Sequence, residues 1–433
     1  MTARGAWVGL DVGTTSSKAV VYDETGAPVG TGRARTTWRT TDRGVETDAD
    51  ALLEQALAAL DEAVRQLPDD TRVLGVGVTS MGETGVLVDH AGRPCGPSIA
   101  WHDARDAVEV QALRRDIGEE AFGARAGKPL RGQFSLTKHR WLRQHQAGAA
   151  EAVRRFNVAE WVLRGLSGAE VCDRSLAGRT GWFDLAAGDW WDETLSWSGA
   201  TRELMPALVD AGEAVGRVRS GHPRLHGAVV TTAGHDHQAA AVGAGAVGTG
   251  DELDSCGTAE ALVRTVRPDL TPDQILALAR GGITTDVSVQ PGRWSLLGGT
   301  EGGLAMERTL ERLGVGRDGL AALDRAALAL SGDLSGGGVE GGEDPARTWR
   351  SAVETATAEA LALHAAMTAI AGPHARLVAT GGWCHSAMVI DAKRRAFGPL
   401  EVSTVAEAGT RGAATLAARA AGALVGDEVL PSA

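Results

Sequence analysis

The sequence predicts an α/β protein made of two duplicated domains, and three observations carry that prediction. Short β-branched runs alternate with helix-prone stretches in the first half, and a similar order restarts near residue 228. Both halves place a Gly-Thr pair after an apolar, acidic approach: Gly13-Thr14 in "LDVGTTSSKAVV" and Gly257-Thr258 in "LDSCGTAEALV". A chain of 433 residues also has room for two cores.

Residues 7–10 and 19–22 are apolar runs around the turn formers Asp11 to Lys18, which predicts an opening hairpin. After Asp48, a fitting N-cap, Leu53, Leu57, Leu60 and Val64 recur at helical spacing up to Pro68, which predicts a helix. Residues 73–80 and 85–89 read as strands, and "AVVTT" at 228–232 begins the second domain, with the division placed at 218. The Gly-rich acidic stretch 331–347 reads as a loop, 349–372 as a long helix, 376–382 as a strand entering a glycine turn, and 409–422 as a closing helix.

Hydrophobic residues at 43% and charged residues at 23% are ordinary globular values. A net charge of -12 argues against non-specific nucleic-acid binding, which needs Lys and Arg against phosphates. The four cysteines (95, 172, 256, 384) form no CxxC pair, so neither a disulfide framework nor structural zinc is expected. The N-terminus carries no apolar signal segment and no run approaches eighteen apolar residues, so a cytoplasmic protein without membrane contact is expected.

Three turns hold the candidate chemistry. Asp11 followed by Gly13-Thr14-Thr15-Ser16 offers backbone N–H groups and hydroxyls suited to phosphate, with a carboxylate able to hold Mg2+ through water; an ordinary hairpin turn explains the same residues. "TGGWCHS" at 380–386 allows close backbone approach to a flat ligand, or is a structural turn. "AGHDHQ" sets Asp236 between His235 and His237, as a metal ligand, a base or a turn residue; adjacent side chains diverge and no third and fourth ligand at zinc spacing accompanies them.

As an ordered set, these stretches resemble the FGGY family of carbohydrate kinases, in the superfamily of actin and hexokinase. "GLDVGTTSSKAVVYDETG" is similar to the family's first phosphate motif. "VTSMGETGVLVDHAGRPCGPSIAWHDARD", with Trp101, Asp103 and Arg105, is similar to its sugar-site segment. "KPLRGQFSLTKHRWLRQH" and "GLSGAEVCDRSLAGRTGWFDLAAGDW" resemble two further family segments, and "SCGTAEAL" and "ATGGWCHS" its second phosphate turn and adenosine turn.

The resemblance implies two ribonuclease-H-like domains, 1–218 and 219–433, around a cleft, and an ATP- and Mg2+-dependent phosphotransferase acting on an alcohol group. It makes Asp236 the general base and Asp11 with Asp236 the metal carboxylates. Gly13, Thr14, Thr15, Ser16, Lys18, Gly257 and Thr258 fall on the phosphate side, and Gly299, Gly381, Gly382 and Ser386 on the nucleoside side. Glu83, Thr84, Trp101, Asp236 and His237 would meet the acceptor. The implied partner is a small sugar or polyol, with room for a homodimer. "DVGTTSSKAVVYD" and the Lys-x-x-Trp-Leu segment favour a xylulose-like ketose, whereas Glu83-Thr84 favours glycerol or erythritol, although Gly82 stands where glycerol kinases carry arginine.

Three departures accompany the resemblance: a shorter chain, "VEGGEDPARTW" in place of a Gly-Glu-Arg-x-Pro segment, and Lys393 and Arg395 where Gln and Asp are usual. They keep open a sugar-binding or regulatory protein of the same fold. An actin-like filament ATPase would leave Glu83, Trp101 and Asp236 without a task.

Overall fold

The computed structural model describes residues 4–330 and 344–431. The first sheet contains β1 (Arg4–Val12), β2 (Ser16–Asp23), β3 (Pro28–Arg35), β4 (Thr71–Ser80), β5 (Gly216–Arg217) and β6 (Val229–His235), in the order β5-β6-β4-β1-β2-β3. The strands β1, β2 and β3 form an antiparallel meander, and β4 and β6 run parallel to β1. A division at 218 therefore falls inside this sheet: the "AVVTT" strand completes the first half instead of opening the second. Its alternation with β4 is a long-range pairing that local patterning does not display.

The second sheet repeats the plan. It contains β7 (Asp251–Cys256), β8 (Glu260–Val266), β9 (Thr284–Val287), β10 (Trp294–Thr300), β11 (Arg376–Thr380) and β12 (Glu401–Val402), ordered β9-β10-β8-β7-β11-β12. The strands β7, β8 and β10 form the meander, and β11 and β12 run parallel to β7. Gly13-Thr14 after β1 and Gly257-Thr258 after β7 thus occupy the same place in two copies of one topology. These are the duplicated ribonuclease-H-like halves of the actin and hexokinase fold.

Helix α1 (Ala49–Arg65) starts where expected, with the Asp48 carboxylate accepting from Asp50 N. Its buried face is Leu52, Ala56, Ala59, Leu60, Ala63 and Val64, while Leu53 and Leu57 lie at the flanks. Alanines face inward because β3 approaches closely: a Cβ on Gly30 or Gly32 would lie 2.3 Å or 2.0 Å from a carbonyl of α1. With α2 (Val158–Ser167), α1 buries one face of the first sheet in a single apolar core.

The opposite face is covered by α8 (Ala408–Ala420), which packs Ala414, Ala417 and Ala418 on Trp7, Val20 and Tyr22. Its approach is permitted by small residues on both sides. A Cβ on Gly9 would lie 1.7 Å from Thr410 O, and one on Gly412 1.8 Å from Ala239 O. Ala239 belongs to α4 (Asp236–Gly243), whose other side packs Ala241 into the second sheet beside Leu253, Val263 and Val378. The helix bearing Asp236 therefore sits where the two halves meet.

The remaining helices used below are α3 (Arg174–Gly178), α5 (Gly302–Leu313), α6 (Pro345–Ala371) and α7 (Ala387–Phe397). The expected long helix is α6 and the expected closing helix α8. Most of the Gly-rich loop, 331–343, lies outside the described residues. Among the described residues no helix is long and apolar enough to cross a membrane.

Candidate active site

The C-terminal ends of β1, β4 and β6 deliver Asp11, Glu83 and Asp236 to one region. Asp11 is the penultimate residue of β1, and its Oδ1 is buried without a hydrogen-bond partner. A Cβ on Gly409, in the first turn of α8, would lie 2.6 Å from Asp11 Oδ2, so the helix N-terminus covers this carboxylate. Burial, followed by the charge of Asp236, pushes Asp11 up to about 7. Asp236 begins α4 and is likewise raised to about 7, by burial first and by the charge of Glu83. Two carboxylates poised near neutrality at the ends of β1 and β6, on either side of β4, are suited to accept a proton or to share a cation.

The imidazoles flank Asp236 instead of joining it around a metal. His235 Nε2 lies 3.3 Å from Asp236 Oδ1, and burial holds this imidazole well below its ordinary range, hence neutral. His237 donates its backbone N–H to Asp236 Oδ1 at 2.7 Å; burial, followed by the Arg179 charge, also lowers its ring.

The turn at 13–16 closes with Gly13 N to Ser16 O at 3.2 Å. Thr15 is exposed, whereas Ser16 is buried, its hydroxyl accepting from Arg33 Nε at 3.1 Å. Lys18 is turned elsewhere: its ammonium lies 2.8 Å from Glu407 at the N-cap of α8. Trp101 is half-buried and donates its indole N–H to Thr14 Oγ1 at 3.0 Å. Asp103 and Arg105 pair with each other, Nε to Oδ1 at 2.8 Å, and Arg105 extends to Glu46 at 2.7 Å, which fixes the loop that follows Trp101.

The turns at Gly257-Thr258 and Gly381-Gly382 lie side by side because β7 and β11 pair in parallel, Ser255 against Thr380. Gly381 has φ +107°, and a Cβ there would lie 2.5 Å from Cys256 O, so only glycine fits. Gly303, absent from the sequence reading, abuts the same place: its Cβ would lie 1.9 Å from Gly257 O. The pair Gly302-Gly303 opening α5 is the signal for it. Gly299 is exposed on β10. Ser386 is buried as the N-cap of α7, accepting from Val389 N at 3.2 Å and donating to Asp324 at 2.9 Å, which gives it a capping task.

Lys393, unusual in sequence, is buried with its ammonium 2.6 Å from Asp254 Oδ2 and also bonded to Glu260. Asp254, Cys256 and Glu260 have the mutual proximity of a metal site, and the lysine supplies the cation there. Glu83 and Thr84 are both buried; Thr84 Oγ1 has no partner, and Glu83 is paired with Arg179, Nε to Oε1 at 2.9 Å. The sequence reading missed Arg179, which lies 96 positions from Glu83.

Residues 6–243 match the FGGY family of carbohydrate kinases, N-terminal domain. A xylulose kinase from Streptomyces coelicolor is 32% identical over 244 residues, covering 55% of this chain and 50% of its own. A glycerol kinase from Pseudarthrobacter chlorophenolicus is 30% identical over 292 residues, covering 64% and 56%. The chain thus spans about half the length of the curated relatives it matches. Among solved structures, xylulose kinase from Rhodospirillum rubrum superposes with a TM-score of 0.86 at 24% identity, covering 99% of this chain and 94% of its own. Plasmodium falciparum glycerol kinase with ADP does so at 0.85 and 18% identity, covering 96% and 89%. These superpositions agree with the duplicated topology, and the match over more than half of the sequence establishes that the chain belongs to the FGGY family of carbohydrate kinases.

Proposed function

We propose that this chain is an ATP- and Mg2+-dependent kinase that transfers the γ-phosphate to a hydroxyl of a xylulose-like ketose or of a polyol. The observation that carries the proposal is the convergence of Asp11 and Asp236 at the ends of β1 and β6, which flank β4, both raised to about 7, beside the buried Glu83.

In this reading the acceptor hydroxyl hydrogen-bonds to Glu83 and lies against Asp236. As its oxygen bonds to the γ-phosphorus, the bridging P–O bond of ATP breaks and ADP leaves. The hydroxyl proton passes to the Asp236 carboxylate. A base with proton affinity near neutrality is matched to that transfer. The orphaned Asp11 Oδ1 and the carboxylate of Asp236 fit a hard cation that takes oxygen ligands, and a bound Mg2+ supplies neutralisation of phosphate charge. The turn at 13–16 would receive the transferred phosphate, while Gly257, Thr258, Gly381 and Gly382 would line the nucleotide from the second half. Closure of the halves, meeting near residues 244–250, would exclude water that otherwise hydrolyses ATP.

A glycerol- or erythritol-type polyol is the second reading, favoured by the buried Glu83-Thr84 pair, whose carboxylate is held by Arg179 with one oxygen left to accept from hydroxyl groups. ADP release with Mg-ATP against xylulose, ribulose, glycerol, erythritol and gluconate, with Asp236→Ala as control, tests both. Turnover on one compound that disappears in the variant supports the kinase and names the acceptor. Mg-ATP binding without turnover on any points to another acceptor, whereas sugar binding without Mg-ATP binding favours a regulatory protein of this fold.

A further inference from the structure

A carboxylate that accepts from hydroxyl groups has to be fixed in direction and left with one oxygen free. Glu83 meets these conditions through a partner distant in sequence. Arg179, the residue after α3, is buried and directs both Nε and Nη2 at Glu83 Oε1, the former at 2.9 Å. Gln133 Nε2 joins the same oxygen at 3.0 Å. Among the described residues no donor bonds Oε2. The other edge of the guanidinium reaches the second sheet, with Nη1 2.9 Å from Thr284 Oγ1 and 3.1 Å from Asp286 Oδ2 on β9. Asp286 Oδ1 is held in turn by Lys128 at 2.6 Å. Two cations and two carboxylates therefore form a buried, balanced chain from the acceptor loop to the second half.

We propose that Arg179 sets acceptor recognition: it orients Glu83 so that Oε2 meets a hydroxyl of the polyol or ketose, and through Asp286 it ties that orientation to the second sheet. The identity of the acceptor rests on the kinase reading above. Arg179 touches no reacting atom and is a positioning residue.

Two features make the arrangement demanding. Glu83 has φ +63°, the one positive φ outside glycine among the described residues, a conformation costing on the order of 1 kcal/mol that its bonds must hold. Gly82 leaves the space the arginine needs: a Cβ there would lie 3.2 Å from Arg179 Cγ and 3.0 Å from His235 Cδ2. A lysine at 179 would keep the charge and lose the fork that grips one oxygen with two N–H groups.

Steady-state kinetics on wild type, Arg179→Lys and Arg179→Gln, with melting curves for each, tests the proposal. The acceptor KM is expected to rise roughly tenfold or more in Arg179→Gln and by less in Arg179→Lys, while KM for Mg-ATP stays within about twofold. A folded Arg179→Lys with the wild-type acceptor KM overturns it, as does an equal rise of both KM values. If Arg179→Gln does not fold, Arg179→Lys decides alone. If wild type turns over no acceptor, the kinase reading fails separately, and xylulose and glycerol titrations followed by tryptophan fluorescence take its place. The same ranking of Kd supports the role of Arg179; identical Kd values, or no binding by wild type, overturn it.

Discussion

Trp101 donates its indole N–H to Thr14 Oγ1 at 3.0 Å, and Trp38 donates its own to the Thr14 carbonyl at 2.7 Å. Both tryptophans therefore hold the turn at 13–16. Trp101→Phe keeps an aromatic face and removes one hydrogen bond, worth about 0.5–1.5 kcal/mol. The expected result is KM for Mg-ATP raised by roughly two- to tenfold with the acceptor KM unchanged; a rise confined to the acceptor would put Trp101 on the sugar instead.

Asp11 is a half-buried carboxylate near a second one, a repulsion that weakens the fold. Asp11→Asn removes that repulsion while keeping the shape. Its melting temperature in metal-free buffer should equal or exceed that of wild type by about 1–3 °C. Turnover and the stabilisation given by added Mg2+ should both disappear, as read by differential scanning fluorimetry.

Removing the Lys393 ammonium leaves Asp254 and Glu260 facing each other in the interior. Burial and the Asp254 charge already push Glu260 up to about 7 with the lysine present. Lys393→Gln should cost about 3–5 kcal/mol in urea unfolding, the range for breaking one partner from a buried pair. A loss under 1 kcal/mol would show that the cluster is hydrated.

His139 is buried edge-on to Trp182, ring centres 5.4 Å apart, and burial lowers it to about 3 from 6.5. A depressed histidine contributes no pH dependence above its unfolded value. As pH falls from 6.5 toward 3 the unfolded chain takes up a proton that the native state refuses, and stability drops by up to about 1.4 kcal/mol per unit. Relative to wild type, His139→Leu should therefore gain stability progressively between pH 6.5 and pH 4; parallel curves would mean that His139 protonates in the native state.

Local signals reached the elements whose stabilising groups are close in sequence. The opening hairpin, the Asp48 cap of α1 and the strand ends at Asp11 and Asp236 are written in adjacent residues. The fit of Gly381 against Cys256, the pairing of Glu83 with Arg179, and the placement of β6 beside β4 depend on contacts between segments far apart, which periodicity does not record. Lys18 and Trp101 show the same limit at single residues: their partners, Glu407 and Thr14, lie 389 and 87 positions away. Lys393, an oddity in sequence, becomes intelligible once its two carboxylates are in place.

The helix that seals one face of the first sheet comes late in the chain: Tyr22 meets Thr410 across 388 positions. During synthesis, β1 to β4 leave the ribosome with Trp7, Val20 and Tyr22 uncovered, and these wait on the order of tens of seconds for residues 408–420 to emerge. Translation order thus lets the first sheet be covered only after every strand of the second sheet has been made, and any premature stop before α8 leaves that face without its lid.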